Sequence, residues 1–168
     1  MTLVDFSTDV VMGRGTVYSD DCDHMGHMNV AAYTRKFDEA TWALWNSIGM
    51  TATVMQDQKI GIAALESRLT YRRELFPGES FLVRSRFVWL KAKTAQFHHH
   101  LYVLIDDGQQ SVETLAATCT YTAACLDRAA HKATQFPSAI AARITSVLKP
   151  LPRETAARWP IMREGIAP

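Results

Sequence analysis

Residues 30–48, VAAYTRKFDEATWALWNSI, decide how the rest of the chain is read. Val30, Tyr33, Phe37, Ala40, Leu44 and Ile48 recur at i, i+3 and i+4 spacing and fall in one narrow angular stripe, which predicts a single long helix. Asn29 stands immediately before it, with a side-chain oxygen able to accept a free backbone N–H, and Gly49 stands just after its end. Trp42 and Trp45 lie off the main stripe. Apolar groups on more than one side predict a helix covered over most of its surface, as when cradled by a sheet or wedged at a subunit contact.

Beyond this helix, residues 62–127 read as strands separated by turns. Residues 62–73 are a mixed run ending at Phe76-Pro77-Gly78-Glu79, and in the next strand Phe81, Val83, Phe87 and Trp89 alternate with Arg84 and Arg86. A strand over 94–105 closes on Asp106-Asp107-Gly108, a hairpin signal, and is answered by 112–125, where Leu115, Ala117, Cys119, Tyr121 and Ala123 share a face. Strands joined by short turns are antiparallel. Before the helix, residues 11–19, VMGRGTVYS, are β-leaning and lead into the polar loop Asp20-Asp21-Cys22-Asp23-His24. The order is therefore one strand, one long helix and four strands, an α+β arrangement with a five-stranded antiparallel sheet. One core ends near residue 130, giving a domain over 1–130. Residues 131–168 form a C-terminal tail packed on or beside it, with a helix over 138–148 and Pro137, Pro150, Pro152, Pro160 and Pro168 as punctuation.

Composition limits the function classes. The chain has 168 residues, 18 Lys plus Arg against 17 Asp plus Glu, and 48% hydrophobic residues. A chain of this length buries roughly 70% of its unfolded surface, so it needs no disulfide or structural metal to fold. The near-neutral balance removes the electrostatic case for duplex nucleic acid as the main partner, while leaving room for a local basic patch. No stretch reaches the roughly 20 apolar residues that span a bilayer, and MTLVDFSTDV lacks the cations of a signal peptide. Cys22, Cys119 and Cys125 are an odd set without a CxxC pair, which fits a reducing compartment; the cytoplasm is the expected location.

Residues 21–33, DCDHMGHMNVAAY, concentrate the chemistry at the strand-to-helix junction. Asp23 is a candidate base or nucleophile, His27 a candidate orienting or proton-handling group, and the free N–H groups around Val30 and Ala31 suit a carbonyl oxygen that gains negative charge during attack. These are the parts of an acyl-transfer site. Asp and Asn before a helix can equally be caps alone, with Gly26 supplying a turn.

The segment resembles the signature of the hotdog-fold thioesterase superfamily, 4-hydroxybenzoyl-CoA thioesterase-like branch: D-x-D, then G-H-x-N, then a Tyr in the first helical turn. Here these are Asp21, Asp23, Gly26, His27, Asn29 and Tyr33, and the order of elements over residues 10–127, with Pro77-Gly78-Glu79, is similar too. The resemblance implies a sheet wrapped around one central helix, Asp23 as catalytic carboxylate acting as nucleophile or through water, and the Val30 N–H as donor to the thioester carbonyl. His27, Asn29 and Tyr33 would shape the loop. It implies acyl-CoA substrates bound at a dimer interface with strands of both subunits in one sheet, the assembly being a homodimer or a dimer of dimers. No cofactor is implied, because coenzyme A is part of the substrate. Val30 replaces a second Asn of many relatives, and Ser19 stands where some carry Tyr, with Tyr18 one position away. Related hotdog enzymes use a carboxylate on the central helix, which makes Asp38 and Glu39 reserve candidates, although Glu39 could simply pair with Arg35 at i, i+4.

Relatives also place basic and hydroxyl groups in the turn matching Lys91, Lys93 and Thr94, where they meet nucleotide phosphates; a solvated hairpin turn is the plain alternative. Arg72, Arg73, Arg84 and Arg86 share that ambiguity. Within His98-His99-His100, only His98 and His100 could share an ion on one strand face, and no metal is expected. Tyr33, Phe37, Trp42 and Trp45 could line an acyl pocket or receive a quaternary ammonium, and residues 36–42 resemble thioesterases acting on betainyl-CoA. The expected function is hydrolysis of a small or medium acyl-CoA. A noncatalytic acyl-CoA-binding hotdog module and a hotdog dehydratase are the competing readings.

Overall fold

The computed structural model describes residues 9–106 and 111–150. Asp107-Gly108 of the expected hairpin turn, and Pro152, Pro160 and Pro168 of the tail, lie outside the described residues. The elements are β1 (Val10–Thr16), a 3-10 turn (Ser19–Asp21), α1 (Val30–Ser47), α2 (Ala52–Asp57), β2 (Ile60–Tyr71), β3 (Ser80–Leu90), β4 (Thr94–Asp106), β5 (Ser111–Asp127), β6 (Lys132–Ala133) and α3 (Ser138–Ser146).

α1 starts and stops for the reasons its sequence predicts. Asn29 Oδ1 accepts the Ala32 N–H at 2.9 Å. At the other end Gly49 has φ +85° and donates to the Asn46 carbonyl, while the Met50 N–H reaches back to that of Trp45, the paired closure of a Schellman motif.

The sheet curls around α1 in the order β1-β3-β4-β5-β2, with every neighbouring pair antiparallel. This is the expected hotdog arrangement, and the structure adds three features that the order of elements alone does not give. β2 and β3 follow one another through residues 72–79 and run in opposite directions, yet they are not neighbours. β3, β4 and β5 carry the wholly buried Phe87, Phe97, Leu101 and Cys119 and occupy the centre, whereas β2 exposes residues 64–67 and takes an edge. β6, of two residues, extends the sheet beside Leu126 and Asp127. α2, capped by Thr51 Oγ1, lies between α1 and β2 in the chain.

The core joins one face of α1 to the inner face of the sheet. Phe37, Ala40, Leu44 and Trp45 are fully buried. The Trp45 ring meets Phe87 and Phe97 edge-on at 5.1 and 5.7 Å and stacks on Phe136 at 5.8 Å. Phe136, Ile140 and Ile144 thus bring the segment before and within α3 into the same core, which explains an apolar ring off the main stripe of α1. Gly15 lies opposite Phe81, whose ring stands 2.8 Å from where a Cβ would be.

β4 sends alternate histidines to opposite faces. His99 is fully buried against α1: its Nδ1 lies 2.6 Å from Ser85 Oγ and its Nε2 3.0 Å from Thr41 Oγ1. Thr41 donates its own proton to the Phe37 carbonyl, so it accepts from His99 Nε2–H, and Ser85 donates to Nδ1. Burial first, then His100, pushes the His99 imidazolium down to a pKa of about 3, so the ring is neutral. No helix among the described residues is long and apolar enough to cross a membrane.

Candidate active site

The loop between the 3-10 turn and α1 is a short closed hairpin. Cys22 bridges to Met28, the Asp23 N–H reaches the His27 carbonyl at 3.4 Å, and Gly26 donates to the Asp23 carbonyl at 2.9 Å. Gly26 takes φ +80°, a conformation that favours glycine. Asp23 Oδ1 accepts the Met25 N–H at 2.9 Å, an Asx turn that orients the carboxylate at the exposed tip. Its Oδ2 makes no protein hydrogen bond among the described residues. Met28 is buried, and its N–H donates to the Leu75 carbonyl, fastening the loop to segment 72–79.

Asn29 turns this loop into a helix start. Its side chain takes the Ala32 N–H and its carbonyl takes that of Tyr33. The Val30 and Ala31 N–H groups have no partner among the described residues and stand at the positive end of an 18-residue helix. Val30 is 63% exposed, which leaves room for a ligand over its amide.

A cavity of about 360 Å³ lies beside this helix end, lined by His27, Met28, Val30, Tyr33, Tyr71, Arg72, Arg73 and Glu74. Tyr33 is buried, donates its hydroxyl to the Arg73 carbonyl at 3.2 Å and meets the Tyr71 ring edge-on at 5.2 Å. Burial, reinforced by Tyr71, pushes its phenol up to about 12, so it remains a neutral donor. His27 donates from Nδ1 to the Met28 carbonyl, and its Nε2 lies 3.6 Å from Glu74 Oε1. Arg73 forks onto Glu79 at 2.7 and 3.2 Å. Burial pushes the Glu79 carboxyl up, but the hydrogen bonds from Arg73 and the Phe76 N–H outweigh it and hold the group below its ordinary value.

His27, Asn29, Val30 and Tyr33 therefore come together at one end of α1. Asp23 sits on the same loop but outside the cavity lining. Lys91, Lys93 and Thr94 do not join them within this chain. Tyr71 aligns with Ala117 and Thr94 with Ala124, so roughly 23 Å of strand separates the two ends at about 3.3 Å per residue. Lys91 instead lies over the Trp89 ring at 5.2 Å.

Several ambiguous residues have ordinary partners. Arg84 forks onto Glu113, Arg86 pairs with Asp9 at 2.5 Å, and Arg35 pairs with Asp21 rather than Glu39. The reason for the last is burial: Asp21 is 3% exposed, so the cation turns to it rather than to exposed Glu39. Asp38 is also exposed on α1 and does not line the cavity. His98 and His100 share the outer sheet face with ring centroids 4.4 Å apart, and no group of three or more His, Cys, Asp or Glu able to hold a metal occurs among the described residues. No sequence motif marks Tyr71 or Glu74. Their signal was position alone, at the end of a strand beside the Pro77-Gly78-Glu79 turn.

The family model of the thioesterase-like superfamily matches residues 17–144. No curated protein matches by sequence. Among solved structures, a hypothetical protein of Staphylococcus aureus in complex with CoA superposes with a TM-score of 0.76 at 21% identity, covering 95% of this chain and 96% of its own. The probable thioesterase YbaW of Escherichia coli gives 0.65 at 17% identity over 82% and 98% of the two chains. A 1,4-dihydroxy-2-naphthoyl-CoA thioesterase of Synechocystis gives 0.67 at 14% identity over 80% and 95%. At these identities the likeness establishes the fold.

Proposed function

The chain belongs to the thioesterase-like superfamily, and from that premise we propose that it hydrolyses acyl-CoA thioesters to the free acid and CoA. The observation that carries this reading is the helix end itself: an Asp23 oxygen and a Val30 amide that have no partner among the described residues, the amide at a positive dipole, and an apolar-floored cavity beside them. A thioester carbonyl is already electrophilic and thiolate leaves readily, so one base and one donor suffice. In the reaction, Asp23 removes a proton from water, whose oxygen bonds to the acyl carbon, or its carboxylate attacks that carbon and water then cleaves the anhydride. The C–S bond breaks in either route and CoA leaves as the thiolate. The Val30 N–H stabilises the oxyanion; such a donor is worth about 10²–10³-fold in rate.

The working unit in this proposal is a homodimer, or a dimer of such dimers, joined through β2. That strand is a sheet edge whose outer backbone faces no strand among the described residues, and it carries Leu65 at 60% exposure. Antiparallel pairing of two β2 edges would bring the partner's end of β4 alongside this cavity. The turn carrying Lys91, Lys93 and Thr94 would then stand about three strand spacings, ~14 Å, from β2 rather than ~23 Å along it, within reach of the nucleotide end of CoA.

The acyl group is small or medium, as the cavity volume allows. Betainyl-CoA is one candidate, since the cavity lining includes the exposed Tyr71 ring and the Glu74 carboxylate, groups that attract a quaternary ammonium. One observation favours a noncatalytic acyl-CoA-binding module instead: Asp23 Oδ1 is already used in the Asx turn. Purified protein incubated with a panel of acyl-CoA and acyl-carrier-protein thioesters, including betainyl-CoA and a hydroxyacyl-CoA, separates the readings. Release of free thiol supports hydrolysis, binding without thiol release supports the module, and loss of water with the thioester intact identifies a dehydratase.

A further inference from the structure

The first carboxylate of the D-x-D pair is built differently from the second. Asp23 is exposed, whereas the Asp21 side chain is 4% exposed and surrounded by donors. Its Oδ1 takes Arg35 and lies 3.9 Å from Lys36 Nζ, and its Oδ2 accepts the Tyr18 N–H at 3.2 Å. Its backbone carbonyl accepts the Asn29 N–H at 2.9 Å. The chain therefore leaves Asp21, makes the loop that carries Asp23, and returns to Asp21 one residue before Val30.

We infer that Asp21 is a positioning residue for the reaction proposed above: its backbone clamps both ends of the reactive loop, and its buried carboxylate pins that clamp to α1 through Arg35 and Lys36. Asp23 lies two residues beyond one side of the clamp and the Val30 amide one residue beyond the other, so the clamp sets their separation. A buried charge is costly unless paired, and a neutral group of similar shape would serve as a plain strut at lower electrostatic cost. The charge is retained here where two cations on the next turns of α1 face it. Arg35 itself is 57% exposed, so it is held to Asp21 by attraction rather than by packing.

The inference rests on the acyl-CoA thioesterase reading, and its test has a readout independent of activity. Asp21→Asn keeps the shape and an acceptor for the Tyr18 N–H but releases both cations. It should lower kcat about 10- to 100-fold, the effect of a misplacement near 1 Å, with KM changed less than about two-fold. Added to Asp23→Asn it should cost less than it does alone, because the part of its effect that runs through Asp23 is already lost and only the part through the Val30 amide remains. Amide hydrogen exchange in Asp21→Asn should quicken across residues 22–32 and stay unchanged in the central strands. Arg35→Ala, at an exposed position, should shift kcat the same way, and Arg35→Lys should restore it. Unchanged kcat in Asp21→Asn, a full additional loss in the double variant, or unaltered exchange over 22–32 overturns the positioning role. A wild-type protein that hydrolyses no thioester overturns the reaction instead, and exchange over 22–32 still decides whether Asp21 clamps the loop.

Discussion

Lowering the pH from 7 to 5 should cost the folded protein about 2 kcal/mol through His99 alone. An unfolded imidazole titrates near 6.5, whereas the buried ring in its cage of Phe37, Phe97 and Tyr121 is held down to about 3. The unfolded chain therefore binds the proton first. This contribution is fully present above about pH 7 and is lost progressively as the pH falls below 6.5, down to the folded value. Integrating the linkage slope of about 1.4 kcal/mol per pH unit from 7 to 5 gives the figure stated. His98, held down to about 2 by burial and by its histidine neighbours and Arg86, adds a loss of similar size, and His100 acts in the same direction. Glu79 and Glu113, held below their ordinary 4.5, lose their contribution only at lower pH, so the window from 7 to 5 belongs to histidine. The assay is urea unfolding at the two pH values and one protein concentration, for wild type and His99→Gln. That variant keeps a donor for Thr41 and lacks the titrating ring. The pH-dependent loss should be about 2 kcal/mol smaller in the variant; an equal loss in both proteins would show that His99 is not the group responsible.

The donor role of Val30 can be tested by removing its N–H. Proline is tolerated at the first helical position and Asn29, with φ −82° and ψ 164°, already has a backbone compatible with a following proline. Val30→Pro should therefore lower kcat about 10²–10³-fold with an unfolding midpoint near wild type, measured by thiol release and thermal denaturation. Leu65→Lys should convert the proposed dimer to a monomer in sedimentation and lower activity together with it; a fully active monomer contradicts assembly through β2. Gly49→Ala forces a Cβ into a positive-φ site beside Arg143, so it should destabilise by about 1–2 kcal/mol and lower the thermal midpoint by roughly 3–6 °C.

Local pattern was enough for α1 because its stripe, Asn29 cap and closing Gly49 all lie within twenty-odd residues and agree with one another. Alternation along β3, β4 and β5 was equally legible, since those strands bury one face. The pairing of β2 with β5 was not, because it depends on which strands need burial on both sides, a property of the whole sheet. α2 has six residues and no buried side chain, and β6 has two residues, so neither carries enough periodicity to register. At the site, the cluster from Asp23 to Tyr33 could be read because its members are neighbours in sequence. The Asp21–Arg35 pair could not, because the ion pair links positions 14 apart and competes with a nearer carboxylate, Glu39. For the same reason the triple histidine could be assigned to two faces by alternation, while the Ser85 and Thr41 partners of His99 come from other elements.

In the proposed reaction Asp23 drives thioester hydrolysis at the start of α1. The most direct measurement is free-thiol release by wild type and Asp23→Asn, side by side, on the best acyl-CoA of the panel. A base or nucleophile removed without loss of shape should lower kcat by about 10²–10⁴-fold, with KM and the unfolding midpoint close to wild type. Undiminished thiol release by Asp23→Asn on every acyl-CoA tested would rule out Asp23 as base or nucleophile.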